Sequence, residues 1–175
     1  MNTGPRQLDF EIDKLTNSVE NVRTGEVFET EITRLTTTNV SLLSDSVWQF
    51  DWLLEMKSAD REIHGLATIE NPLILQGLIS ISDNLDHIFM HLLENSAFNK
   101  GNKKVYAGVA GNLVAFACQR AFDRGYDGAV AFVAKTNLIE HYITTLGAKR
   151  FSGNRMFIEG LEAQKLVARY FSDEK

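Results

Sequence analysis

Three groups of residues have types and spacing that could do chemistry. The first is Lys103-Lys104 followed by Gly108-Val109-Ala110-Gly111, a small-residue turn leading into a segment with Leu113, Phe116, Ala117 and Ala121 at helical spacing, stopped at Gly125. Such a turn aims unpaired backbone N–H groups along the helix axis, and the helix dipole adds positive potential where they converge, which suits a phosphate. The same residues also suit a tight packing turn, and neither G-x-G-x-x-G nor Gly-Lys-Ser/Thr is present. The second group is His87, His91 and Glu94. On a helix they would share one face and could ligate a metal ion; on a strand His87 and His91 would stand about 13 Å apart, too far to share one. The third is Cys118, a lone thiol with no base visibly paired to it, on the apolar side of the predicted helix. His64 is likewise a lone histidine, and Trp48 and Trp52 could line a pocket or fill a core.

The elements that would position these residues follow from periodicity. Ser18 to Thr36 alternates apolar and polar residues around Arg23-Thr-Gly-Glu26 and predicts a β-hairpin. The stretch 37–45 leaves room for little more than a short turn of helix, and an aromatic-rich segment runs from Val47 to Lys57. Strands are expected over Ile63–Ile69 and Leu73–Ile81, with Asn71-Pro72 as the turn between them. Asp86–Asn95 is ambiguous between helix and strand, and Ser96–Asn102 reads as loop. After the glycine turn and its helix come a buried strand over Gly128–Ala134, a helix over Lys135–Leu146 ended by Gly147, and a hairpin of Ala148–Phe151 and Met156–Ile158. Ala163, Leu166, Val167 and Tyr170 predict a closing helix that packs on the rest.

A chain of 175 residues, 44% hydrophobic and 23% charged, is long enough for one domain with a real core, taken as 1–175 with 1–7 as a loose end. The net charge of −5 and the lack of a basic block argue against a nucleic-acid partner. No apolar run approaches a membrane span, and Met1–Leu8 lacks the pattern of a signal peptide. With a single cysteine, a cytoplasmic protein is expected.

From about His87 to Phe151 the order of elements resembles the GNAT superfamily of N-acetyltransferases. Gly108-Val109-Ala110 is similar to that family's Gly-x-Gly/Ala between strand and helix, and Leu146-Gly147 to its later helix end. Val105 stands where the family usually has Gln or Arg, with Lys103 and Lys104 nearby, and Tyr142 lies one residue further from Gly147 than is usual.

The resemblance implies an α/β fold: a mixed, mostly antiparallel central sheet flanked by helices, here with an N-terminal β-hairpin, and residues 87–151 as the acyl-CoA-binding core. It makes Asp86–Asn95 a strand. It implies acetyl-CoA as cosubstrate, its pyrophosphate held by the backbone around Val105, Tyr106, Ala107, Gly108, Val109, Ala110, Gly111 and Asn112. Its pantetheine would lie in a slot where the strands ending near Asn95 and beginning near Gly128 splay. Glu94 matches the family's base, with His91 as fallback, and Tyr142 the group that protonates the leaving thiolate. The expected partner is a small-molecule or peptide amine, with no nucleic acid, no membrane and a homodimer as an option. A catalytically weak or inactive acyl-CoA sensor of the same fold is the alternative, and a metal-dependent hydrolase on His87, His91 and Glu94 is a third reading.

Overall fold

The computed structural model describes residues 5–16, 18–43 and 48–171. The expected loose end lies outside these for residues 1–4, as does the start of the aromatic segment at Val47; Pro5, Arg6 and Gln7 are exposed and carry no regular element.

The alternating stretch Ser18–Thr36 divides into two pieces. β1 (Val19–Asn21) and β2 (Val27–Phe28) form the predicted hairpin, its turn closed by the Asn21 carboxamide, which accepts from the amides of Arg23 and Thr24. The chain then leaves the hairpin, and β3 (Thr30–Leu35) pairs along its whole length with β4 (Glu62–Thr68). Longer pairing and burial of Leu35 recruit β3 to the main sheet, so the second half of the predicted hairpin is an edge strand instead. A short 3-10 turn at Val40–Leu43 and α1 (Trp52–Met56) follow it, the latter capped by the Asp51 carboxylate on the amide of Leu54.

β5 (Gly77–Asp83) and β6 (Ile88–Asn95) continue the antiparallel meander. β5 begins later than expected because Leu73 and Ile74 lie exposed in the preceding turn. Starting at Gly77 matters: a Cβ there would run into Val109 and Leu113, so the glycine lets the following helix lie directly on the sheet. A register shift pairs Ser80 with Leu92 but Ile81 with Met90, leaving His91 as the extra residue of a β-bulge.

β7 (Tyr106–Ala107) joins β1 in a small separate sheet of order β2-β1-β7. It delivers the chain to α2 (Val109–Asp123), through Gly108 at φ +91, a left-handed conformation that favours glycine. β8 (Val130–Val133), α3 (Ile139–Leu146), β9 (Lys149–Ser152), β10 (Arg155–Ile158) and α4 (Gly160–Phe171) complete the chain. The main sheet has the order β3-β4-β5-β6-β8-β10-β9, antiparallel except at β6–β8. A core of Ile79, Ile81, Met90, Leu113, Cys118, Phe132, Tyr142 and Met156 includes α2, α3 and the sheet; a smaller one holds Trp52, Ile63, Leu78 and Leu92. α4 packs on α2, as its apolar spacing predicts.

Candidate functional site

β6 and β8 run parallel for two residue pairs only, Ile88 with Val130 and Phe89 with Ala131. Beyond them the strands part, and the N-terminus of α2 stands nearby, because the loop after β6 carries the chain round to Gly108. The divergence and the glycine turn are therefore on one path, as the resemblance implies.

Several donors on that path are engaged within the chain. Val105 gives its amide to the carbonyl of Phe98, and its own carbonyl accepts from Val22. The Tyr106 amide donates to the Asn99 side chain at 3.0 Å, and Tyr106 and Ala107 pair with β1. Gly108 donates to the Asp13 carboxylate at 3.2 Å, and the Thr16 hydroxyl sits where a Cβ of Gly108 would be. Val109 and Ala110 are buried in the core; Gly111 faces the Tyr170 hydroxyl and the side chain of Leu15; the Asn112 carboxamide donates to Thr30.

What fills the path is the segment 8–16. Leu8 bridges in parallel to Ala134, giving its amide to Val133 and taking that of Lys135. Phe10 stacks at 4.9 Å on Tyr142 and 6.3 Å on Phe132, and its carbonyl receives the Tyr142 hydroxyl. The Ile12 amide donates to Nε2 of His141 at 2.9 Å. Asp13 also meets Lys104 at 3.0 Å, and Thr16 donates its amide to the Tyr170 hydroxyl. Leu8, Phe10 and Ile12 are buried while Asp9 and Glu11 are exposed, so the segment lays one apolar face into the molecule. Burying those three side chains contributes about 5–9 kcal/mol.

Residues 8–16 are not among the expected site residues, although Leu8, Phe10 and Ile12 alternate with Asp9, Glu11 and Asp13, the period of a half-buried strand.

Glu94, at the end of β6, is buried and accepts from four donors: the amides of Gln49 (2.5 Å) and Phe50 (3.2 Å), the Trp52 indole (2.8 Å) and Lys100 (3.1 Å). It thereby ties the segment before α1 to the sheet. Trp52 is core, with its indole N–H committed to this carboxylate. Tyr142 is fully buried on α3; burial, with the charges of Asp9 and Glu11, holds its phenol well above the usual range and keeps it a proton donor. The two residues flank the same path, Tyr142 against Phe10 and Glu94 in the wall of a cavity of about 370 Å³ lined also by Phe10, Asp13, Phe50 and Asn95.

The three proposed metal ligands do not meet. As a strand the segment sends His87 to Asp86 and His91 to Ser82, while Glu94 is held as above, and the described residues contain no His/Cys/Asp/Glu cluster able to hold a metal. His91 is pushed down to about 4 by burial and by the Arg61 charge, so it is neutral at neutral pH. His64 is buried beside Glu62, its pKa lowered mainly by burial, and burial pushes the Cys118 thiol up to about 12. Cys118 is thus inert core packing.

No family model matches this sequence, and no curated protein matches it. Solved structures do. One is AtaTR bound with AcCoA, at 14% identity and a TM-score of 0.56 over 79% of this chain and 98% of that one. Another is a KacTA–DNA complex, at 13% identity and 0.55 over 83% and 100%. A third is a mutant of the spermidine N-acetyltransferase SpeG from Vibrio cholerae, at 10% identity and 0.50 over 84% and 99%. At such identities the likeness is one of fold. Since one of these is a complex with DNA, the likeness lends nothing to the expected exclusion of nucleic acid. Among the described residues no helix is long and apolar enough to cross a membrane.

Proposed function

We propose that this chain, which has the GNAT acyltransferase fold, is an N-acetyltransferase that moves an acetyl group from acetyl-CoA to a primary amine. The observation that carries this reading is the parting of β6 and β8 beside the glycine-led N-terminus of α2, with Glu94 and Tyr142 on the same path. The fold likeness to a structure bound with AcCoA supports it. In this reading Tyr142 holds a proton beside the reacting centre, and Glu94 either takes one from the amine or fixes the segment Gln49–Trp52 over the cavity.

The coenzyme does not fit while residues 8–16 are seated. Asp13 takes the N–H of Gly108, Thr16 covers that glycine, and Phe10 takes the hydroxyl of Tyr142. A second reading, in which the fold persists as an acyl-CoA sensor with little turnover, is favoured by Val105 at the position where the family usually has Gln or Arg and by the shifted spacing of Tyr142 to Gly147.

Incubating the protein with acetyl-CoA and a panel of primary amines, and weighing the products by mass spectrometry, tests the first reading. Acetylated amine with release of free coenzyme A is expected. Saturable acetyl-CoA binding with no product would leave the sensor; neither binding nor product, even after residues 8–16 are loosened, would overturn both.

A further inference from the structure

We infer that residues 8–16 are the resident ligand of the coenzyme path and a gate on it: acyl-CoA enters only when this segment is displaced. The inference rests on the acyl-CoA reading above.

The segment imitates a coenzyme along its length. At one end it offers a carbonyl oxygen, on Phe10, to the Tyr142 hydroxyl, where the acyl-transfer reading puts the sulfur. At the other it offers a negative charge, on Asp13, to the amide of Gly108 and to Lys104, where that reading puts a phosphate. Between them the amide of Ile12 donates to His141, and ahead of Phe10 Leu8 takes up the free edge of β8 at Val133. Each of these groups can serve the segment or a coenzyme but not both, so occupancy is mutually exclusive.

The segment is also built to leave. It joins the main sheet through one bridge, Leu8 to Ala134, rather than a run of pairs. The residues before it, Pro5 to Gln7, are exposed, and β1 after it belongs to the small sheet with β2 and β7. Displacing it therefore need not break the main sheet. The residues that hold its C-terminal part, Tyr170 and Arg169, lie on α4, which packs against α2 and is not part of the main sheet.

The test uses the full chain and a Phe10→Ala/Asp13→Ala double variant, with acetyl-CoA as probe in isothermal titration and hydrogen exchange read by mass spectrometry. Peptides covering 8–16 should be protected in the parent protein and should exchange at least tenfold faster when acetyl-CoA is saturating. The double variant should lose that protection and bind acetyl-CoA at least tenfold more tightly. Equal affinity in both proteins, or unprotected 8–16 in the parent, overturns the gate alone. Loss of protection in the variant with no acetyl-CoA binding to either protein overturns the acyl-CoA reading and the gate with it. Should the double variant not fold, exchange of the parent with and without acetyl-CoA decides the matter: unchanged exchange despite measured binding overturns the gate.

Discussion

The hydroxyl of Tyr142 lies 2.5 Å from the carbonyl oxygen of Phe10, 132 residues earlier in the chain, and donates to it. One contact thus joins the helix that carries the candidate proton donor to the segment that fills the path beside it. Both partners are buried, so neither can turn to water while the segment is seated.

Tyr142→Phe should therefore act twice. Losing the hydroxyl leaves a buried carbonyl with one partner fewer, a cost of about 1–2 kcal/mol read from a urea midpoint. If Tyr142 protonates the leaving thiolate, kcat should fall by about tenfold or more while acetyl-CoA affinity holds or improves. Unchanged kcat would remove Tyr142 from the chemistry and leave it a packing residue.

Glu94→Gln replaces an acceptor of four donors with a group that must aim an NH2 at some of them. We expect a loss of about 2–3 kcal/mol in stability and faster hydrogen exchange at Gln49, Phe50 and Trp52. As the base, Glu94 would in addition show a drop in transfer rate with acetyl-CoA affinity nearly intact. An equally stable, fully active variant would exclude it from both roles.

Gly77→Ala should destabilise by about 1–3 kcal/mol, since its Cβ meets Val109, Leu113 and the carbonyl of Glu94. Because α2 would have to lift from the sheet, thermal denaturation should show the loss, and a variant as stable as the parent would mean that α2 sits further out.

Acid should weaken the fold before its carboxylates titrate. His91 and His64 both have folded pKa values below the unfolded value of about 6.5, so the unfolded chain binds protons more readily and stability falls as pH drops below that value. For His91 the loss is complete near pH 4; burial dominates, Arg61 adds to it, and Glu55 and Asp60 oppose it. Its share is on the order of 1–2 kcal/mol once solvent screening is allowed for. His91→Gln should flatten this part of the pH profile of the urea midpoint. An unaltered profile would mean that His91 is free to charge in the folded state.

The sheet and its helices were legible where a pattern is local: the closing hairpin, α4 and the end of α3 at Gly147 fall where spacing and glycines place them, while α2 already begins at Val109, inside the expected small-residue turn, and the helix expected from Lys135 opens as a 3-10 turn at Thr136–Leu138 before α3 starts at Ile139. The strand character of Asp86–Asn95 was not legible, because its apolar residues suit either period; only the resemblance to a family assigned it. Nor could sequence find what Glu94 binds, since its partners come from Gln49 to Trp52, a stretch whose aromatics read equally as pocket or core. The segment 8–16 carried a strand-like alternation, but its partners on β8, α3 and the first turn of α2 lie about a hundred residues away. No local pattern names such partners, so the occupant of the path became visible only in three dimensions.

The attachment of this segment to its own slot sets a scale that an independent competitor would lack. Since β1 begins at Val19, a few residues after Thr16, the segment is held at an effective concentration on the order of mM wherever the protein goes. Dilution cannot remove it. On the gate proposal, the fraction of open molecules would be governed by how free coenzyme compares with that fixed local concentration, weighted by the two affinities, and would be the same for a scarce protein as for an abundant one.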